Sequence, residues 1–219
     1  MTYSIAAKCS LTGMFGVAVT TSSICVGARC AYARAGVGAV LTQHRTDPRL
    51  GPKGLDLLAQ GLPAKDVIER LTGDVPGIGW RQLAVVDRDG RTAAYHGERI
   101  TSVHSADEGP GCIAIGNIIR TKAVTRAMVD AFGADPQLHL AERLVRGMEA
   151  GYAAGGEPKQ VKSAALLVVE SESFPLVDLR VDYNPQPLGQ LRWLWEIYEP
   201  SMKLYVDRAV DPDSVPGPA

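Results

Sequence analysis

The sequence lacks an excess of charge of either sign, a secretion signal at its start and any long apolar run. Among its 219 residues, 23 are basic and 24 are acidic, which gives a formal net charge of -1. A protein that binds nucleic acid or an anionic membrane needs a basic patch on its surface, so we expect neither partner. No basic segment leads into an apolar one at the N-terminus, and runs such as SAALLVVE are far too short to cross a bilayer. We therefore expect a cytoplasmic protein.

Motifs for cofactors, metals and catalytic triads are also missing. The sequence contains no G-x-x-x-x-G-K-[ST], no H-E-x-x-H and no G-x-S-x-G, and the glycines of RAGVGAV do not form G-x-G-x-x-G. The histidines have no metal-ligand spacing; they are His44, His96, His104 and His139. We expect neither a metal ion nor another cofactor.

The cysteines form no C-x-x-C pair and lie among apolar residues; they are Cys9, Cys25, Cys30 and Cys112. Free cysteine is usually buried, so the pattern favours reduced thiols in the core. A thiol enzyme that uses Cys25 or Cys30 is the alternative.

Apolar periodicity predicts clusters of strands separated by pairs of helices. Roughly the first forty residues are typical of strands; a helix is then predicted to open at Pro52, and a second lies in GLPAKDVIERLTG. WRQLAVVDRDGRTAAYHG predicts a hairpin and GCIAIGNII a buried strand, followed by two helices, two strands and a last helix from Pro187. This order favours an α+β fold with two antiparallel sheets packed face to face and helices outside. We assign residues 1–208 to one domain and 209–219 to a disordered tail.

The N-terminal stretch MTYSIAA places a threonine at position 2, ahead of a strand. Removal of Met1 would give Thr2 both a hydroxyl and a free α-amine, whose ordinary pKa of about 7.7–8.0 leaves part of it neutral. That amine can act as general base for the neighbouring hydroxyl without a His or Asp partner. Strand alternation puts Ser4 on the face of Thr2, and Tyr3 and Ile5 on the opposite, core face. The alternative is a small second residue without a chemical role.

Several blocks together resemble the family designated domain of unknown function 1028. They are MTYSIAA, FGVAV, RAGVGAVLTQ with DPRLGPKGLDLLAQGL, IAIGN, AAGG with SAALLVV, and LVDLRVD. The blocks extend from Thr2 to about Tyr205 in the order of the family. The resemblance implies membership of the Ntn-hydrolase superfamily, and with it a four-layer αββα sandwich. It also implies hydrolysis of an amide-type bond by an N-terminal Thr, Ser or Cys, and Thr2 matches that position.

The resemblance also implies an oxyanion site, for which Asn117 in the IAIGN block is our candidate. The N–H of Gly116 or Ile118 would assist it. The alternative is that Asn117 caps the next helix. Ser4 would relay a proton or hold a water beside Thr2.

Arg29 and Arg34 lie among small and apolar residues. Arg29 or Arg34 would lower the pKa of the amine, and Asp178 or Asp182 would pair with them. The full set of expected substrate-binding residues is Ser22, Ser23, Arg29, Arg34, Gln43, His44, Asp47 and Asp178.

We therefore expect an Ntn amidohydrolase that cleaves an amide, carbamoyl or ureido C–N bond of a small molecule. A non-catalytic small-molecule-binding or scaffold protein on the same fold is the alternative, since fold does not fix function. Aromatic residues of the last helix predict an apolar face for self-association, and hence a homodimer; they are Trp193, Trp195, Tyr198 and Tyr205.

Overall fold

Two antiparallel sheets form the centre of the structure, a computed structural model that describes residues 1–73 and 75–215. The larger sheet contains β1 (Thr2–Lys8), β2 (Phe15–Thr21), β7 (His104–Gly109), β8 (Cys112–Asn117), β9 (Ser163–Val169) and β10 (Val177–Val181). The smaller sheet contains β3 (Ala31–Arg34), β4 (Gly38–Gln43), β5 (Gln82–Val86) and β6 (Thr92–His96). Their spatial orders are β10-β9-β2-β1-β8-β7 and β3-β4-β5-β6. Strand β1 therefore lies inside the larger sheet, between β2 and β8.

Helices cover the outer faces of both sheets. Over the described residues they are α1 (Gly27–Cys30), α2 (Leu50–Ala59), α3 (Ala64–Thr72), α4 (Ala123–Gly133), α5 (Leu140–Ala153), α6 (Pro187–Tyr198) and α7 (Met202–Val210). Helices α2 and α3 pack on the smaller sheet, and α4, α5 and α6 pack on the larger one. These layers confirm the predicted four-layer αββα sandwich.

The alternation of side chains along β1 decides which layer each residue enters. Tyr3 and Ile5 are buried beneath the helices of the larger sheet, as predicted. Ala6 is buried between the two sheets. Complete burial of a side chain the size of Ile5 contributes about 1.5–3 kcal/mol. A one-residue shift of β1 would exchange the two faces, so this burial fixes the register that aims Thr2 between the sheets.

Some local elements differ from the sequence-based expectations. Strand β7 was not predicted, because its sequence HSADEG is polar and lacks β-branched residues. It lies at the edge of the larger sheet and pairs with one strand only, where polar residues are tolerated. The stretch expected to be continuous strand before β3 contains the single helical turn α1. Helix α2 begins at Leu50 instead of Pro52.

The last helix is interrupted by the 3₁₀ turn Glu199–Ser201, where Pro200 removes a backbone donor. The expected aromatic face is only partly exposed. Trp195 is buried and donates its Nε1–H to Glu142 at 3.0 Å, whereas Trp193 and Tyr205 are about half exposed.

The chain stays helical past the predicted domain boundary at 208, since α7 ends at Val210 and a 3₁₀ turn follows at Pro212–Ser214. The disordered tail over 209–219 stays a prediction, and its residues 216–219 lie outside the described residues. In the described ranges, no helix combines the length and apolarity needed to cross a membrane.

Candidate active site

Thr2 lies at the N-terminal end of β1, on the strand face that points toward the smaller sheet. It is 7% exposed and shares this face with Ser4 and Ala6. Asn117 on β8 is its direct register partner. On the other side, the Oγ1 of Thr21 at the end of β2 lies 3.3 Å from the Oγ1 of Thr2. The Thr2 hydroxyl therefore has a polar residue on each neighbouring strand.

Met1 covers Thr2. The Met1 carbonyl oxygen accepts hydrogen bonds from the hydroxyls of Thr2 and Thr21. The α-amine belongs to Met1, and burial lowers its pKa, while the nearby Glu157 carboxyl acts in the opposite direction. The nitrogen of Thr2 is then an amide, which has no basic lone pair. General-base chemistry at Thr2 therefore requires that Met1 be removed.

A buried chain of side-chain hydrogen bonds connects β1 with the smaller sheet. Ser4 Oγ donates to Gln43 Oε1 at 2.8 Å, and Gln43 Nε2 donates to Gln82 Oε1 at 2.6 Å. Asn117 Nδ2 donates to the same Gln82 oxygen at 2.9 Å. All four residues are fully buried. The hydrogen bonds among these side chains therefore replace the hydrogen bonds to water that burial removes.

One backbone carbonyl fixes the orientation of these amides. Gln82 Nε2 lies 2.8 Å from the carbonyl oxygen of Gly116, which can only accept. Gln82 Oε1 must then be the acceptor for both Gln43 and Asn117. Asn117 Oδ1 has no hydrogen-bond partner within the described residues. An asparagine amide held in this way beside Thr2 has a further N–H that can donate to a bound carbonyl oxygen.

The alternative role of Asn117 as a helix cap is wrong. Helix α4 begins at Ala123, and the residue at its N-cap position is Lys122. Asn117 is the last residue of β8, and Ile118 follows with a positive φ of 51°. The chain therefore turns away from the sheet directly after the candidate oxyanion residue.

His96 forms the far end of the hydrogen-bond chain. Its Nδ1 lies 2.8 Å from Gln82 Nε2, an amide donor, so Nδ1 accepts and the ring proton is on Nε2. Burial, together with the neighbouring His104, lowers the pKa of His96 to about 4. A neutral His96 at neutral pH agrees with its role as acceptor.

Two open clefts meet at Met1. The first has a volume of about 330 Å³, and Met1, Trp80 and the loop after β4 contribute to its walls. The second has a volume of about 370 Å³ and is lined by Met1, Thr21, Ser22, Ser23 and Lys159, among others. Both volumes fall within the range of small-molecule sites. Because Met1 is bonded to Thr2, the two clefts adjoin the candidate nucleophile.

Glu157 is a buried carboxyl beside the second cleft. It is 5% exposed, and its Oε2 accepts a hydrogen bond from the Ser22 N–H at 3.1 Å. Its Oε1 lacks a hydrogen-bond partner among the described residues. Burial raises the pKa of Glu157 to about 7, against the opposing effects of Ser22 and the chain's own amine. An ionisable carboxyl near the N-terminal amine can therefore change charge near neutral pH.

The structure brings most of the predicted residues to the region around Met1. Ser22 and Ser23 line the second cleft, and His44 lines the first. Gln43 lies in the buried hydrogen-bond chain. Arg29 reaches the second cleft, since its guanidinium donates to Ser23 Oγ at 2.6 Å.

Three predicted residues lie elsewhere or serve another contact. Arg34 pairs with Asp56 at 2.9 Å and lies opposite Gly38, at the other end of β4 from Gln43. The side chain of Asp47 is engaged by Arg49 at 2.7 Å, and this hydrogen bond lowers the pKa of Asp47.

Asp178 lies on the edge strand β10 and pairs with Arg180 at 2.8 Å. The expected pairing of Arg29 or Arg34 with Asp178 or Asp182 is therefore wrong. In the described residues the Arg29 guanidinium has no acidic partner within 4.0 Å and donates to Ser23 and backbone carbonyls, whereas Arg34 and Asp178 pair with Asp56 and Arg180.

Sequence reasoning missed Thr21, Gln82 and Glu157. Thr21 directly precedes the predicted Ser22, and the register of β1 with β2 brings it beside Thr2. Gln82 is a polar residue at the start of an otherwise apolar strand, which is a signal for a buried polar contact. Glu157 follows the double glycine after α5, and no local pattern indicates its burial.

The thiol and metal alternatives gain little support. Burial raises the pKa of the Cys30 thiol, which disfavours the reactive thiolate. Cys9 and Cys112 are buried, Cys25 is partly exposed, and all are free thiols. In residues 1–73 and 75–215, no group of His, Cys, Asp or Glu side chains has the arrangement of a metal site.

Comparison with known proteins places the chain in a family. The model of the "Family of unknown function (DUF1028)" matches residues 2–191. The chain belongs to the DUF1028 family. A crystal structure of the DUF1028 protein SPO2555 from Silicibacter pomeroyi is similar, with 32% identity and a TM-score of 0.84 over 90% of this chain and 85% of that one.

Other comparisons add little to the DUF1028 assignment. Anbu (ancestral beta-subunit) from Yersinia bercovieri aligns over 99% of both chains, with 10% identity and a TM-score of 0.40. Similarity of that degree carries no argument about this chain. No curated protein matches it significantly.

Proposed function

We propose that the protein is an N-terminal-nucleophile amidohydrolase that cleaves a C–N bond of amide, carbamoyl or ureido type in a small molecule. Thr2 would be the nucleophile after removal of Met1. The observation that carries the proposal is the position of Thr2. Its hydroxyl contacts Thr21, its register partner is Asn117, and Met1, which is bonded to it, lines two clefts.

The chemistry follows from the groups at this position. The free amine of Thr2 takes the hydroxyl proton, directly or through a water, and Oγ1 attacks the substrate carbonyl carbon. Asn117 donates to the oxyanion, a contribution on the order of 3–4 kcal/mol per donor. Collapse of the tetrahedral intermediate breaks the C–N bond, and the ammonium of Thr2 returns the proton to the leaving nitrogen. Water then hydrolyses the acyl ester on Thr2 and regenerates the hydroxyl.

Two parts of the structure support this role. The Ser4–Gln43–Gln82 hydrogen bonds fix the amide of Asn117. Gln43 also contacts the backbone carbonyl of Thr2, but the Thr2 hydroxyl takes no part in this chain. The Thr21 hydroxyl contacts Thr2 Oγ1 and can orient its proton. Ser22 and Ser23 line one cleft and are proposed to contact substrate.

The state of the N-terminus tests the proposal first. Intact-mass analysis of the purified native chain is expected to show loss of Met1. Retention of Met1 in protein that turns over substrate would exclude Thr2 as an N-terminal nucleophile.

A panel of small amides, carbamoyl compounds and ureido compounds then tests the reaction. Mass analysis after rapid acid quench is expected to find an acyl adduct on the N-terminal peptide, and Thr2→Ala protein should form none. An adduct on another residue, or turnover by the Thr2→Ala protein, would contradict the proposal.

The second candidate is a small-molecule-binding protein without hydrolytic activity. This role needs only the two clefts and does not require a free Thr2 amine. This role predicts retained Met1 and a ligand-dependent rise in melting temperature with no product formed.

Location and assembly are proposals of the same kind. We propose a cytoplasmic homodimer, in which the exposed Trp193, Ile197 and Tyr205 near the C-terminus contribute to the contact. Sedimentation-velocity analysis of native protein and of a Trp193→Ser variant measures the expected shift from dimer to monomer.

A further inference from the structure

The first cleft carries positive charge on an aromatic wall. The guanidinium carbon of Arg45 lies 3.7 Å from the centre of the Trp80 ring, and that of Arg99 lies 5.6 Å from it. Both distances are within the range of cation–π attraction. A guanidinium stacked on a ring keeps its N–H groups in its own plane, where they can bind a carboxylate in bidentate fashion.

Acidic side chains near this cleft neutralise little of the positive charge of Arg45 and Arg99. Within the described residues, Arg45 has no acidic partner within 4.0 Å, and the Arg99 partner is Glu98 at 3.8 Å. Both members of that pair are well exposed, so the pair contributes little. Over the same residues, neither guanidinium donates a hydrogen bond. Two like charges are therefore held at one ring with their donors available to an anion.

The imidazole of His44, which also lines this cleft, is neutral. His44 Nδ1 lies 2.7 Å from the Trp80 carbonyl oxygen, so Nδ1 carries the proton and Nε2 is an acceptor. Burial lowers the pKa of His44, which keeps the ring uncharged at neutral pH. Its contact holds the loop after β4 against Trp80.

The backbone around the cleft is strained in a way that aims these groups. Positive φ occurs at four non-glycine residues of the described chain, and three of them line this cleft: His44 (55°), Arg45 (43°) and Ile118 (51°). A left-handed conformation costs such residues about 1–3 kcal/mol each and is concentrated at functional sites. The conformation at His44 and Arg45 turns the loop so that Arg45 lies on Trp80.

We propose that this cleft binds a carboxylate of the substrate, with Arg45 and Arg99 on the Trp80 ring as the receptor. The inference rests on the proposed function and specifies its substrate class: small amides that also carry a carboxylate, such as N-acyl or N-carbamoyl amino acids. The cleft adjoins Met1, so an anion bound at Trp80 leaves the amide end of a short substrate toward Thr2.

Binding without turnover tests the inference. Titration calorimetry on the Thr2→Ala protein compares N-acetylglycine with N-acetylglycinamide, which differ in the carboxylate alone. The acid is expected to bind roughly tenfold or more tightly, as for a charge-assisted contact. Equal affinities for the two probes would overturn the inference. Tighter binding of inorganic phosphate than of N-acetylglycine would overturn the assignment to a carboxylate.

Charge-matched variants locate the site. Arg45→Gln and Arg99→Gln are each expected to weaken N-acetylglycine binding by about tenfold without changing the affinity for the amide probe. Both arginines are exposed, so the fold should tolerate either change. Arg70→Gln, an exposed arginine on the outer helix α3, removes the same charge elsewhere and should leave binding unchanged. An equal loss in Arg70→Gln would overturn the local assignment.

The outcome is independent of hydrolysis. Selective binding of the acid by Thr2→Ala protein, together with no product from the parent protein on any compound of the panel, supports the carboxylate site and contradicts the proposed function. Hydrolysis of neutral amides, with no preference for acids in binding, supports the proposed function and overturns the carboxylate site.

Discussion

Thr2 and Asn117 lie directly opposite each other on the antiparallel strands β1 and β8, and both face the smaller sheet. Opposite residues on one sheet face have Cβ atoms about 4.5–5.5 Å apart. Because Gln82 fixes the Asn117 amide, a carbonyl group attacked by Thr2 would meet a preoriented N–H donor. The pairing makes Thr2, Asn117 and the residues that hold them the positions to substitute.

Replacement of Thr2 tests the nucleophile. Thr2→Ala is expected to lower kcat by about a thousandfold or more, because the attacking oxygen is removed. Thr2→Ser keeps a hydroxyl and should retain part of the activity. Steady-state rates on the best amide substrate measure both. The matched control is Thr12→Ala, in the exposed turn at the far end of β1, and comparable losses in the two alanine variants would contradict the role of Thr2.

Replacement of Asn117 tests the oxyanion contact. Asn117→Ala is expected to lower kcat by about 10²–10³-fold with a small change in KM, since the hydrogen bond strengthens as charge develops. Circular dichroism verifies that the variant is folded under assay conditions. A rise in KM at unchanged kcat would instead make Asn117 a ground-state binding residue.

Gln82→Leu tests the buried hydrogen-bond chain. The change leaves the amides of Gln43 and Asn117 without their shared acceptor in a fully buried region. Unpaired buried polar groups cost about 1–3 kcal/mol each, so we expect the free energy of unfolding to fall by roughly 2–5 kcal/mol. Urea denaturation measures this loss. Gln137→Leu, at an exposed glutamine whose side chain forms no hydrogen bond within the described residues, should change stability by less than about 0.5 kcal/mol.

Glu157→Gln tests the buried carboxyl through pH. Burial raises the pKa of Glu157 from its ordinary 4.5 to about 7, so between these pH values the folded chain keeps a proton that the unfolded chain has lost. The free energy of unfolding contributed by Glu157 therefore falls as pH rises from about 4.5 to 7. A glutamine at this position does not ionise, so the variant does not lose stability in this way as pH rises. We expect the variant to gain roughly 1–3 kcal/mol over the parent across this window.

Urea denaturation at several pH values measures the Glu157 effect as a difference between variant and parent. The difference matters because His96, with its pKa lowered to about 4, acts with opposite sign: its contribution to stability rises with pH between about 4 and 6.5. That contribution is common to both proteins and cancels. Glu196→Gln, at an exposed position on α6, is the control, and a pH-independent difference for Glu157→Gln would refute the assignment.

Alkylation distinguishes the thiol alternative. Cys25 is the most accessible cysteine, and the others are buried. Iodoacetamide is therefore expected to modify Cys25 first and to leave turnover unchanged, with mass analysis as the check on labelling. Loss of activity in proportion to labelling would shift the nucleophile from Thr2 to a cysteine.

Much of the fold was predictable because its signals are local. The alternation in TYSIAAK placed Tyr3 and Ile5 in the core. In α4, the buried Val124, Met128 and Phe132 recur at four-residue spacing, which is a local signal of the same kind. Strand β7 was missed because an edge strand needs little apolar character. Ser22, Gln43 and His44 were predicted near the site. Arg34 and Asp178 were assigned to it only because they are charged, and they form ion pairs with other side chains.

The order of residues alone places a threonine after Met1 at the start of a strand, with its side chain on the same face as Ser4. Those properties follow from chain order and the two-residue period of a strand. The surroundings of that hydroxyl depend on the assembled sheets. Asn117, Gln82 and Glu157 are each separated from Thr2 by eighty residues or more along the chain, and strand register and layer packing bring them together. Long-range pairing leaves no local periodicity, so the site emerges only when the sheets are assembled.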